Sequence, residues 1–102
     1  MEKLIRDGMV AVLYSPGFGA GFYTWNTDHE DMMFDPVLAT LVLDEKIDEA
    51  HTYVTMRWPD AYAGGVDDLK VQWIPVGTDF RIHEYDGSES IEIKDVMNWT
   101  TA

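Results

Sequence analysis

Apolar and polar positions along the chain fall into segments of different period. Met9 to Tyr14 (MVAVLY) is a continuous apolar run rich in strand formers, and Phe22 to Trp25 (FYTW) is a second, shorter one. Between them Ser15-Pro16-Gly17-Phe18-Gly19-Ala20-Gly21 carries one proline and three glycines, the composition of a loop. The pattern predicts a β-hairpin whose seven-residue loop is unusually apolar.

The period then lengthens. Asn26 to Asp35 is an acidic connector, and Asp35-Pro36 offers a helix start, with Asp as N-cap and Pro at the first helical position. Val37, Leu38, Leu41 and Val42 recur at helical spacing. A second helical stretch holds Ile47, Ala50, Val54 and Trp58 and runs up to Pro59, which ends it. Asp44, Glu45, Asp48 and Glu49 surround the junction, which reads as a break between two helices in preference to a kink in one.

Beyond the loop Tyr62-Ala63-Gly64-Gly65, Leu69, Val71 and Trp73 alternate with Lys70, Gln72 and Ile74. Pro75-Val76-Gly77 turns the chain, Phe80 and Ile82 alternate with Arg81 and His83, and after the Asp86-Gly87 turn Ile91 and Ile93 alternate with Glu92 and Lys94. These segments predict a meander of three strands. The order ββααβββ predicts an α+β fold, one domain over residues 1–102, with an antiparallel or mixed sheet of about five strands packed against two helices. In the tail from Asp95 to Ala102, Val96, Met97 and Trp99 are expected to pack against the domain.

Composition narrows the functional classes. The chain of 102 residues has no cysteine, which excludes a disulfide framework, a thiolate metal site and a cysteine nucleophile, and it fits the reducing cytoplasm. No apolar run approaches the roughly 18 residues of a membrane span, and the N-terminus lacks the long apolar stretch of a signal peptide. A soluble, cytoplasmic protein is expected. Nineteen acidic against seven basic residues give a net charge of −12, which repels phosphate backbones and anionic lipid alike. The same charge steers the protein towards basic surfaces, many of which normally hold nucleic acid.

Candidate chemistry is sparse. Gly17-Phe18-Gly19-Ala20-Gly21 follows a strand as a phosphate-cradling loop would, yet it leads into FYTW instead of a helix and has no basic residue beside it. Phe18, Tyr23 and Trp25 could still offer flat faces to a small ligand such as a nucleotide signal, the glycines allowing close backbone approach. Asp28-His29-Glu30-Asp31 contains ligand-type side chains, but consecutive residues point apart and match no metal-binding spacing, so a solvated acidic loop is expected. Among His29, His51 and His83, only His83 can be grouped with Ser88 and Asp86, around one hairpin turn that makes a poor scaffold for a nucleophile. No catalytic set, metal site or cofactor is therefore expected. The acidic residues Asp28, Glu30, Asp31, Asp44, Glu45, Asp48, Glu49, Asp67 and Asp68 come in pairs and triplets at connectors and helix ends, the density that a mimic of a nucleic-acid backbone requires.

Lys3-Leu4-Ile5-Arg6-Asp7-Gly8, Ser15 to Gly21 with Trp25-Asn26, Phe34-Asp35-Pro36, and the stretch from Gly77 to Ser90 (GTDFRIHEYDGSES) resemble a family of small acidic accessory proteins encoded by phages and prophages. The resemblance covers both ends of the chain and leaves the two-helix region unmatched. It implies no catalytic residues. It implies a context, in which small acidic proteins block a host enzyme or defence complex by binding it. Together with the charge, this gives the expectation of a non-enzymatic inhibitor, a counter-defence factor whose carboxylates occupy a basic, nucleic-acid-handling site of a host protein. No direct nucleic-acid or membrane contact is expected, and a homo-oligomer is among the assemblies the sequence allows. The alternative is a small-molecule binder built on Phe18, Tyr23 and Trp25.

Overall fold

The computed structural model describes residues 1–17 and 21–94. Phe18 and the tail beyond Lys94 lie outside the described residues, so their expected roles are not addressed by it. The chain has an α+β fold built from β1 (Ile5–Arg6), β2 (Met9–Tyr14), α1 (Pro36–Leu43), α2 (Ile47–Arg57), β3 (Lys70–Pro75), β4 (Phe80–Tyr85) and β5 (Ser88–Ile93), with short 3₁₀ turns at Tyr23–Trp25, Glu30–Met33 and Val66–Asp68. All strand pairs are antiparallel, but they form two sheets, β1-β2-β3 and β4-β5.

The apolar run of β2 explains the division. Ala11 and Leu13 point to one side, where α1 and α2 supply Leu38, Ala39, Ala50, Val54 and Trp58. Val12 points to the other side and packs with Ile74, Met33 and Phe34, and against it lie Phe80, Ile82 and Ile91 of the β4-β5 ribbon. A strand that is apolar on both faces must be covered on both. The molecule is therefore three layers: helices, a three-stranded sheet with β2 at its centre, and a two-stranded ribbon behind. A two-stranded ribbon is marginal alone, and its stability comes from this packing.

Two expectations are corrected. The three C-terminal strands do not form a meander, because β3 pairs with β2 along its whole length, from Met9 opposite Pro75 to Tyr14 opposite Lys70. This register places Val71 and Trp73 beside Leu13 and Ala11 on the helix side. Phe22 to Trp25 is not a strand either. β3 takes one edge of β2 along its whole length and β1 takes the other at Met9 and Val10, while the chain at Tyr23–Trp25 closes a 3₁₀ turn, with Asn26 N donating to Tyr23 O at 2.8 Å. The partner that makes the first hairpin is β1, joined to β2 through Asp7-Gly8. Both turn residues have positive φ, 52° and 74°, as do Asp86 and Gly87 at 55° and 83° in the second hairpin. Both are two-residue type I′ turns, whose twist matches that of the flanking strands.

The two helices form where the sequence places them. The Asp35 carboxylate accepts from Leu38 N at 2.9 Å, with Pro36 at the first helical position. α1 ends in a Schellman motif, in which Lys46 N donates to Leu41 O and Glu45 N to Val42 O. Glu45 occupies its left-handed position with φ 59°, where glycine is the usual residue.

Candidate functional site

Of the nine carboxylates singled out from the sequence, Asp31, Asp44, Glu45, Asp48, Glu49 and Asp67 lie in α2, just before it or against its residues. The helix buries Ala50, Val54 and Trp58. His51 borders one flank of this stripe and Arg57 the other, about 120° away at roughly 100° per residue. On the first flank the His51 ring meets the Asp67 carboxylate, Nε2 to Oδ1 at 2.5 Å. On the second, Arg57 donates to Asp31 at 3.1 Å, and Trp58 Nε1 donates to the same oxygen at 3.1 Å. Asp44 and Glu45 lie at the junction preceding the helix, and Asp48 and Glu49 stand in its first turn, where the positive end of the helix dipole favours them.

Between these borders the helix faces outward with Asp48, Glu49, Thr52 and Met56, and Met56 is 77% exposed. A groove of about 450 Å³ runs here between Leu41 of α1 and Tyr53 and Met56 of α2, edged by Asp48 and Glu49. Among the described residues, Asp44, Glu45, Asp48 and Glu49 have no ion-pair partner, whereas Asp31 and Asp67 do. Asp28 and Glu30 are exposed near the far end of the helix, in the segment leading into Asp31. Asp68 lies against Gly17 at the start of the glycine-rich loop.

The side chains of the His29 segment turn to different partners. His29 Nε2 faces Asp60 at 3.3 Å while Asp31 turns to Arg57 and Trp58. Among the described residues no group of three or more such side chains is placed to share a metal ion. Ser88 donates its hydroxyl to Pro16 O at 2.6 Å, and His83 sits exposed on the outer face of the ribbon.

The residues on either side of the glycine-rich loop hold a feature that sequence reasoning missed. Their backbone N–H groups converge on an anion, the protein's own Glu89, 1% exposed. Glu89 Oε1 accepts from Ser15 N at 2.8 Å. Its Oε2 accepts from Phe22 N at 3.0 Å, Thr24 N at 2.8 Å and the Thr24 hydroxyl at 2.6 Å. No cation pairs with it among the described residues; converging N–H dipoles take that role. Strand parity carried the signal, since Glu89 lies two residues before Ile91 and so on the apolar face, where a carboxylate must find donors.

Of the aromatic candidates, Tyr23 and Trp25 do not converge. Tyr23 lines a cleft of about 340 Å³ with Phe34, Phe80 and Ile82 on the ribbon side. Trp25 is exposed and stacks on Tyr62, ring centroids 4.9 Å apart. Comparison with protein-family models, curated proteins and solved structures returns no match. The site is therefore read from its own geometry.

One further cluster lies between the N-cap of α1 and the middle of α2. Both oxygens of Asp35 accept from the Tyr53 hydroxyl at 2.9 Å. Burial first, and then the hydrogen bond and the charge of Asp35, push the Tyr53 hydroxyl up to about 12. A folded-state value above the unfolded one favours folding below pH 10 and loses that contribution as pH rises towards 12. Thermal melts from pH 9 upward should show the stability advantage of the wild type over Tyr53→Phe shrinking between about pH 10 and 12. A gap that stays constant over that range would contradict the assignment.

Proposed function

We propose that this protein is a non-enzymatic interaction factor whose α2-centred acidic face occupies a basic, nucleic-acid-handling site on another protein. The observation that supports the reading most strongly is the placement of Asp44 and Glu45. They sit at the negative end of the α1 dipole, and Glu45 is held in a left-handed conformation, where glycine would be more stable. Neither carboxylate contributes an ion pair among the described residues. Carboxylates kept where local stability opposes them are accounted for by a role outside the fold. They continue into Asp48 and Glu49 at the edge of an apolar groove with Met56, which is the anatomy of an interface: an apolar centre with a charged rim.

The resemblance to phage accessory proteins supplies the setting. Such a factor would act in the host cytoplasm as a counter-defence inhibitor. No helix of the described residues is long and apolar enough to cross a membrane.

The test uses a partner captured from host lysate. Reversing Asp44, Glu45, Asp48 and Glu49 to lysine should weaken binding by about 100-fold at low salt, and raising the salt should weaken the wild type towards the same level. Glu45→Gly should separate the two roles, raising stability by about 1 kcal/mol while lowering affinity. Affinity unmoved by both salt and charge reversal would end this reading.

A further inference from the structure

We infer that the Trp25–Tyr62 pair is an aromatic platform that takes an arginine side chain of the protein's basic partner. The inference rests on the acidic-face reading for the nature of the partner, and on a different part of the molecule for its evidence.

The platform is built from two loops that are fastened together. Asn26, itself buried, donates through Nδ2 to Phe22 O at 2.7 Å and to Tyr62 O at 2.9 Å, and its Oδ1 accepts from Tyr62 N at 2.7 Å. Both rings lie where glycines leave room. A Cβ on Gly21 would overlap the Trp25 indole, and a Cβ on Gly64 would overlap the Tyr62 phenol. The rings are 47% and 42% exposed, and they stack with planes 31° apart. The backbone that carries these exposed aromatics is fixed by buried polar contacts and has lost its ordering entropy in advance, which is what an anchor needs.

Charge selects the occupant. Asp28 and Asp60, both exposed, lie on the same two loops, three residues after Trp25 and two before Tyr62. Elsewhere in this chain aromatic faces are covered by its own cations: Lys3 over Phe34, Arg6 over Trp73 and Arg57 over Trp58. Among the described residues no cation covers Trp25 or Tyr62. A guanidinium stacks on an indole and can pair with a carboxylate at the same time, which an ammonium does less well. A nucleotide would suit the rings but not the surroundings, because the nearby N–H groups of Phe22 and Thr24 are occupied by Glu89 and the local charge is negative.

The test titrates the full chain with a hexa-arginine peptide, a hexa-lysine peptide and adenosine monophosphate, following the Trp25 indole N–H and the Tyr62 ring by NMR. Hexa-arginine is expected to shift both resonances and to bind more tightly than hexa-lysine. Trp25→Ala and Tyr62→Ala should each lower that affinity about tenfold, while Trp25→Phe, which keeps an aromatic face, should retain most of it. Amide spectra confirm that the variants are folded. The proposal is overturned if both alanine variants bind hexa-arginine as tightly as wild type, or if adenosine monophosphate moves these resonances and hexa-arginine does not. Binding lost only on reversal of Asp44, Glu45, Asp48 and Glu49 would refute the platform and leave the acidic face standing. A platform that binds arginine while partner affinity ignores salt would do the opposite.

Discussion

Glu89→Ala is expected to cost about 4 kcal/mol, a large part of the stability of a domain this size. The substitution leaves Ser15 N, Phe22 N, Thr24 N and the Thr24 hydroxyl without their acceptor. A buried donor left unpaired loses about 1–3 kcal/mol, and partial entry of water keeps the total below the simple sum. Glu89→Gln is the sharper variant. Its amide keeps one oxygen, which can serve the three donors at the Oε2 position, but its NH₂ then faces Ser15 N–H, donor against donor, at a cost of about 2 kcal/mol. Urea unfolding with unchanged slope measures both. A loss below about 1 kcal/mol in both variants would show that the loop does not depend on this carboxylate.

Gly65→Ala is expected to cost about 2–3 kcal/mol, whereas Gly64→Ala, one residue away, should cost less than about 1 kcal/mol. The contrast is steric. A Cβ on Gly65 would collide with the backbone carbonyl of Gly21 and crowd the Ser15 hydroxyl, which donates to Gly65 O at 2.8 Å. Backbone held on both sides cannot retreat. A Cβ on Gly64 meets only the far end of the Tyr62 side chain, which can swing aside. Since Gly65 has φ −88°, the cost at that position owes nothing to backbone strain. Thermal melts of the two variants side by side would decide the matter, and equal losses would refute the close approach of the two loops.

Much of the local structure was legible because its causes are local. Asp35 capping α1 through Leu38 N, Pro36 at the first turn, the stop before Pro59 and the Asp86-Gly87 turn all follow from a few neighbouring residues. Asp7-Gly8 makes the same turn, but β1 has only two residues and shows no alternation of its own. Phe22 to Trp25 misled because its composition suits a strand, while its backbone N–H groups are claimed by a carboxylate more than sixty residues away. For the site, residue type and density were readable, and the gathering of the carboxylates around α2 was not. Tyr62, the partner of Trp25, sat in a segment marked only as a loop.

By itself the sequence determined the α+β class, the two helices with their cap and stop, the strand segments of the C-terminal half, and a charge that favours basic partners. Tertiary structure decided which strands pair, that the five strands divide into a sheet and a ribbon, that Ser15 and Phe22 on either side of the glycine-rich loop bond to Glu89, and that Trp25 meets Tyr62. The physical reason lies in range. Periodicity, capping and turn chemistry act over one to four residues and are written in order along the chain. Strand partners and buried donors for a carboxylate are chosen by burial across segments tens of residues apart, where the apolar pattern says that a face must be covered but not by what.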